Sequence, residues 1–282
     1  MATNNPVDSV IKKSYQLAAK VESACDWLAQ ETGLPKGRIK LAMANGAVQV
    51  KKPNSKWQRL RRATANLPAG TGIRFFYNPQ LLAIKPAVPT LIDDRRRYSV
   101  WFKPPGVMSQ GNEWGDHCSM LRLVELHFKN QREVFPVHRL DQEACGLILI
   151  AHDKKTAALL SELFSGRDIE KHYRVRVEGK WNPDVKVIET PLDNKLAITN
   201  ISVLEESDDS TLLLVKIETG RKHQIRRHLS QNGHAVRGDA QYGVKNSQTL
   251  HLAATKLSYQ CPVQGRLVSY ELNPEQIQSY WQ

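Results

Sequence analysis

Apolar and polar positions over residues 24–77 change period twice. From Ala24 the apolar positions Cys25, Leu28 and Ala29 share one helical face, and Gly33 with Pro35 ends the run. A second helix is predicted from about Lys36, with Ile39, Leu41, Ala42 and Met43 apolar and Asn45-Gly46 closing it. Residues 47–50 then read as a short strand. Residues 51–62 read as a basic loop that holds Trp57 and leads to a strand. Leu67-Pro68-Ala69-Gly70 is turn chemistry, and residues 73–77 are the closing strand. Residues 1–20 are only weakly periodic and are expected to form a loosely ordered leader. Pro79, Pro86 and Pro89 mark residues 79–90 as a linker.

Beyond the linker the pattern is mostly that of strands. Residues 98–102 alternate until Lys103-Pro104-Pro105-Gly106 stops them. Residues 145–151 are an unbroken apolar run, which suits a strand buried on both faces. Residues 156–164 read as a helix, 173–179 as a half-buried strand, and 212–217 as a fully buried one. Residues 223–231 suit a short helix closed by Asn232-Gly233. The predicted fold is α+β. A mixed, mainly antiparallel sheet flanked by helices and loops fills residues 91–282, preceded by a small α/β domain over 21–78.

The chain is 41% hydrophobic, enough to build a sizeable core. No run of 18 apolar residues exists, and the N-terminus lacks a basic-then-apolar signal pattern, so a cytoplasmic protein is expected. Cys25, Cys118, Cys145 and Cys261 form no C-x-x-C pair, which argues against zinc and against a disulfide framework. The net charge is +12, and its distribution is uneven. Residues 1–90 hold 14 Lys/Arg against 4 Asp/Glu, whereas residues 91–282 hold 26 against 24. A basic module joined to a near-neutral one suggests a grip on a polyanion.

The densest chemistry lies in two segments. His138-Arg139-Leu140-Asp141 puts one carboxylate on a polar loop just before the apolar run that follows Cys145-Gly146. A carboxylate beside a buried strand needs a cationic partner to stay charged at low cost. Gly220-Arg221-Lys222-His223-Gln224-Ile225-Arg226-Arg227-His228-Leu229 could supply it. His138, His223 and His228 are expected to hydrogen-bond within the fold or touch phosphate, because no ligand spacing completes a metal site. No dinucleotide fingerprint is present either, so neither a metal nor an organic cofactor is expected.

Four segments, in order, resemble the RluA-type (ribosomal large subunit) pseudouridine synthases. They are Lys103-Pro104-Pro105-Gly106, the His138–Asp141 loop with the strand behind it, Lys171-His172-Tyr173-Arg174-Val175, and Gly220–Leu229 followed by Gly233–Asp239 and Tyr242-Gly243. The resemblance implies isomerisation of specific uridines in structured RNA, with the target base flipped out of its helix. It implies Asp141 as the single catalytic aspartate, Arg226 as the arginine paired with it, and Tyr173 as the residue stacked beneath the base. Arg139 would fill the gap left by the extruded nucleotide. Whether the aspartate attacks the sugar, attacks the ring, or removes a sugar proton stays open. Three positions in two segments depart from the family's pattern: Ala144-Cys145 stands where Thr-Ser is usual, and Lys222 where Thr is usual.

Residues 24–77 resemble the alpha-L RNA-binding fold of a ribosomal small-subunit protein, although Ala24-Cys25-Asp26 replaces the usual Arg-Leu-Asp opening. That likeness implies RNA contact through Lys36, Arg38 and Lys40. In the later domain Arg221, Lys222 and Arg227 are candidates for phosphate contact. The expected partner is structured RNA, ribosomal before transfer, with no membrane and with a monomer as the default. Two non-enzymatic alternatives are a ribosome-assembly protein that kept the fold and a general basic RNA chaperone.

Overall fold

The computed structural model describes residues 7, 9–244 and 248–281, and the chain divides into two compact units. One comprises Met1–Pro86 and Gln110–Leu123, the other Ala87–Ser109 and Val124–Gln282.

The first unit contains β1 (Ile11–Gln16), α1 (Ala24–Thr32), α2 (Lys36–Ala44), β2 (Val48–Lys51), β3 (Gln58–Arg59), β4 (Gly72–Tyr77) and α3 (Pro79–Ala83). Its antiparallel sheet runs in the order β1-β4-β2-β3. Ser23 caps α1 by accepting from the Asp26 N–H, and Gly33 ends it at φ 72°, a left-handed conformation that glycine adopts without strain. Leu28, Ile39, Met43, Val48, Ile73 and Phe75 are fully buried together. Leu41 faces the other way and is 38% exposed, contrary to its expected place on the apolar face.

Three expectations about domain limits need correction. The leader is not loose throughout: residues 1–6 and 8 lie outside the described residues, but Ile11–Gln16 pairs along its whole length with β4. The linker is partly helical. Asn78 accepts from the N–H groups of Gln80 and Leu81, and Pro79 opens α3, a position where its missing N–H costs nothing. Finally, residues 110–123 do not belong to the later domain. Asp116 pairs with Arg59 (2.9 Å) and Arg61, its N–H donates to the Asn45 carbonyl, and Trp114 meets Phe76 edge-on at 5.9 Å.

The second unit is built on one ten-stranded sheet. Its strands are β5 (Thr90–Asp94), β6 (Tyr98–Lys103), β7 (Phe135–Pro136), β8 (Cys145–Ala151), β9 (Ile169–Glu178), β10 (Val187–Ile188), β11 (Thr199–Glu206), β12 (Ser210–Ile217), β13 (Leu252–Gln260) and β14 (Leu267–Glu271). The path is β10-β11-β12-β9-β13-β8-β6-β5, with β14 on β13 and β7 on β8. Among the described residues only the β8–β13 pairing is parallel, so the sheet is mixed and mainly antiparallel. Helices α4 (Met120–His127), α5 (Lys154–Gly166), α6 (Gln224–Gln231) and α7 (Pro274–Gln278) complete the described elements.

Every residue of β6 and β8 is buried, which accounts for the unbroken apolar run of β8 and corrects the alternation expected of residues 98–102, whose two faces are both covered. Leu147 and Leu149 of β8 lie in one apolar cluster with Tyr98, Leu160, Leu257 and Tyr259. Val175, Val177, Leu213 and Val215 form another with Ile225 and Leu229 of α6. The second cluster fixes α6 against the sheet and so sets where Arg226 can point.

Candidate active site

The loop between β7 and β8 carries Asp141, and its backbone is held on both sides of that residue. Before it, the Ser109 hydroxyl donates to the Leu140 carbonyl (2.7 Å) and accepts from the Leu140 N–H (2.9 Å). After it, the Gln142 carbonyl accepts from the Lys103 ammonium (3.0 Å) and from the Gly106 N–H (2.9 Å). Lys103 is fully buried and also donates to the carbonyls of Val107 and Pro104. Burial pulls its ammonium down to about 8, against the opposing pull of Cys145, Glu143 and Asp141.

Behind the loop, Gly146 sits at φ 117°, and a Cβ there would lie 2.2 Å from the Ala254 carbonyl oxygen. The glycine of the Cys145-Gly146 pair is therefore dictated by the close approach of β8 to β13. His138 accepts the Leu149 N–H through Nε2 and stacks on Phe164 at 4.2 Å. Burial, helped by Lys171, pushes its imidazole down to about 3, so it is a neutral structural acceptor. The buried Cys145 thiol is raised to about 11 by burial.

Helix α6 supplies the cationic side. Gln224 organises the turn before it, accepting from the Thr219 hydroxyl and the Arg221 N–H while donating to the Ile198 carbonyl and the Thr199 hydroxyl. His223 enters the helix at φ 52°. Its Nδ1 meets the Tyr242 hydroxyl at 2.9 Å, and its Nε2 lies 3.8 Å from Asp141 Oδ1. Burial lowers the His223 imidazole, and the Asp141 carboxylate partly offsets that.

Arg226 does reach Asp141, but only at 3.4 Å through Nη1. Its principal partner is Asp239, which accepts from Nε and Nη2 at 2.7 Å each. Asp239 also accepts the N–H groups of Gln241 and Tyr242. Burial would raise the Asp239 carboxyl; the Arg226 fork and those two N–H groups outweigh it and hold the acid below its ordinary range. Burial likewise disfavours the Arg226 cation, and Asp239 more than restores it. The expectation of a simple Asp141–Arg226 pair is thus corrected to a cluster in which Asp239 is the arginine's main counter-ion. Just before it, Gly238 stands at φ 77°, where a Cβ would lie 2.1 Å from the Thr249 carbonyl oxygen.

His138, Asp141, His223, Gln224 and Arg226 line a cleft of about 560 Å³. Asp141, Tyr173, Arg226, Arg139, Arg221 and Lys222 of the expected site residues all border it. Burial and the Asp141 charge both raise the Tyr173 phenol. Arg221 donates through Nε to the Leu196 carbonyl (2.9 Å). Arg227 does not border the cleft; it forms a two-pronged pair with Asp193 (2.9 and 3.1 Å). Lys36, Arg38 and Lys40 are exposed on α2 of the other unit, Lys36 pairing with Asp26 at 2.7 Å. His228 bridges the Thr199 hydroxyl and the Thr190 carbonyl, a fold role. The sequence reading assigned no role to Asp239, Lys103 or Ser109. The first two stand inside the quoted motifs, which was the available signal; nothing pointed to Ser109.

Among the described residues no helix is long and apolar enough to cross a membrane, and no group of three or more His, Cys, Asp or Glu is placed to hold a metal ion.

Residues 97–231 match the family model described as RNA pseudouridylate synthase. An uncharacterized RNA pseudouridine synthase of Aquifex aeolicus is 29% identical over 277 residues, covering 86% of this chain and 84% of that protein. Ribosomal large subunit pseudouridine synthase C of Vibrio cholerae is 29% identical over 154 residues, covering 50% of this chain and 49% of that protein, so only about half of that relative's length is spanned. The structure of human RNA pseudouridylate synthase domain containing 4 superposes with a TM-score of 0.56 at 21% identity, covering 68% of this chain and 91% of that one, which shows a shared fold. Residues 97–231 thus belong to the RNA pseudouridylate synthase family, a family of enzymes that isomerise uridine in RNA.

Proposed function

We propose that the chain converts specific uridines of structured RNA to pseudouridine, with Asp141 as the one catalytic carboxylate. The observation that carries this reading is the uneven sharing of Arg226. Asp239 takes the two short hydrogen bonds, and Asp141 is left at the cleft with one long one. A carboxylate so held keeps acceptor positions free for a substrate. The reaction breaks the bond from N1 to the sugar carbon, turns the base, and joins C5 to the same carbon. A proton leaves C5 and one ends on N1, so no atom is gained or lost.

Tyr173 stacks against the base in this reading, and Arg139, exposed at the cleft rim, fills the gap in the RNA helix. Ribosomal RNA is the favoured substrate. The support is the printed name of the Vibrio cholerae relative and the basic excess of residues 1–90. The helix face bearing Lys36, Arg38 and Lys40 is then an RNA grip.

The test uses in-vitro transcribed large-subunit ribosomal RNA labelled with tritium at uridine C5, with a transfer-RNA pool as the parallel arm. Wild type releases tritium and Asp141→Asn does not, while RNA affinity stays within about threefold because phosphate contacts supply it. Near-native release by Asp141→Asn refutes the aspartate assignment, and release from transfer RNA alone refutes the choice of RNA.

A further inference from the structure

Lys171 is a cation the reaction scheme above leaves unused. It lies on β9 two residues before Tyr173, so both side chains leave the same face of the strand, roughly 7 Å apart along it. Lys171 borders the same cleft as Tyr173 and Asp141 and is only 6% exposed. Among the described residues its ammonium has no hydrogen bond and no ion pair. Burial, and after it the like charge of Arg167, lower its basicity; no carboxylate opposes them. The other buried cations of this unit are compensated. Lys103 has three carbonyls, and Arg226 has Asp239. A buried cation without a counter-ion is unfavourable, and chains keep such a group where a ligand completes it.

We propose that Lys171 is the anchor for the backbone phosphate next to the flipped uridine. The inference rests on the reading of the cleft as the uridine site. A nucleotide stacked on Tyr173 with its sugar at Asp141 brings one anion into the cleft, its own 5′ or 3′ phosphate. Lys171 is the buried wall residue with three unused donors, whereas Lys222 of the same cleft is exposed to solvent. A neutral uracil carbonyl would satisfy a donor but leave the buried positive charge of Lys171 without compensation. The phosphate satisfies both.

The test compares Lys171→Met and Lys171→Arg with wild type, using a synthetic RNA hairpin that carries a uridine modified in the tritium assay. Two further hairpins carry a neutral methylphosphonate on the 5′ or the 3′ side of that uridine. Lys171→Met is expected to raise Kd and KM about tenfold, to leave kcat within about threefold, and to reduce the slope of log Kd against log salt by about one. Lys171→Arg keeps the slope. One methylphosphonate weakens wild type about tenfold and leaves Lys171→Met unaffected, which names the phosphate. The melting temperature of Lys171→Met stays level or rises, because an uncompensated charge has been removed. Unchanged affinity in Lys171→Met, an undiminished methylphosphonate penalty on both sides in that variant, or a fall in melting temperature that Lys171→Arg does not mend overturns the proposal. Affinity and salt slope are read without turnover, so an inactive wild type would sink the uridine reading and leave this outcome separately visible.

Discussion

Asp239→Asn tests whether the arginine cluster is organised as described. The substitution keeps the shape of the side chain and its acceptor for the N–H groups of Gln241 and Tyr242. It removes the charge facing Arg226 and turns an amide N–H₂ toward a guanidinium that can only donate. Arg226 then depends on Asp141 at 3.4 Å and the more exposed Glu143 at 3.7 Å. Breaking a buried pair costs about 3–5 kcal/mol, and those two remaining carboxylates place the expected loss near the low end, about 3 kcal/mol. For a unit of this size that corresponds to a fall in melting temperature of about 6–12 °C. The effect has a definite pH dependence. Asp239 is held below its ordinary value of 3.8, so its contribution is fully present above that pH and is lost as pH falls through the folded value. The gap between wild type and Asp239→Asn in thermal or urea unfolding should be full at pH 7 and close below about pH 4. The freed guanidinium should also turn onto Asp141 and tie it up, lowering kcat by on the order of tenfold, equivalent to about 1.4 kcal/mol. Arg226→Met combined with Asp239→Asn should regain the stability and none of the activity. A loss under about 1 kcal/mol at pH 7 would refute the reasoning, as would a double variant no more stable than the single one.

Two further changes probe the scaffold. Gly146→Ala should destabilise the second unit by about 3 kcal/mol in urea unfolding, since the new Cβ would meet the Ala254 carbonyl at 2.2 Å in a backbone conformation L-residues avoid; a wild-type midpoint would show that β8 and β13 can part at no cost. Lys103 has an ammonium at about 8 when folded against an ordinary 10.5, so the unfolded chain binds more protons between those values and stability rises with pH across that window. Lys103→Met should lack that rise, roughly 1.4 kcal/mol per pH unit at most, and an identical pH profile in the two proteins would rule out the buried charged lysine.

What the sequence made legible follows from range. The helices of residues 24–44 and 224–231 and the strand at 145–151 announce themselves because the period is local and the ends are marked by Gly33, Asn45-Gly46 and Asn232-Gly233. β1 was hidden because it is an edge strand in which Lys12, Lys13 and Ser14 are exposed in a row, so Ile11–Gln16 shows no strict alternation. Pro79 misled because Asn78-Pro79 opens a short helix as readily as it breaks a chain. The return of residues 110–123 to the first unit rests on Asp116 with Arg59 and Arg61, and on Trp114 with Phe76. These are long-range side-chain contacts that leave no periodic trace. In the cleft, motif order singled out Asp141, Tyr173 and Arg226, and the three line one cavity. It did not show that Arg226 is shared. A carboxylate thirteen residues downstream carries no sign of burial in the sequence, and a lysine such as Lys103 reads as surface until three carbonyls are found around it.

The sharing of Arg226 explains how one site can be both stable and reactive. A lone Asp141–Arg226 pair would face a conflict. Two short hydrogen bonds would make the arginine cheap to bury but would saturate the carboxylate and leave nothing for a substrate. Asp239, whose side chain is completely shielded, resolves it by taking the short bonds, so the cation is neutralised away from the cleft. Asp141, 16% exposed, then feels the guanidinium at 3.4 Å without being locked by it. Its position is secured through backbone instead, by Ser109 at Leu140 and Lys103 at Gln142. Under the proposed function this is preorganisation in the strict sense: the reacting carboxylate is fixed by groups that need not move when it reacts. It follows that stability and turnover should respond separately. Changes at Asp239, Lys103 or Gly146 strike the fold first, whereas Asp141→Asn strikes turnover and leaves a protein of near-native stability.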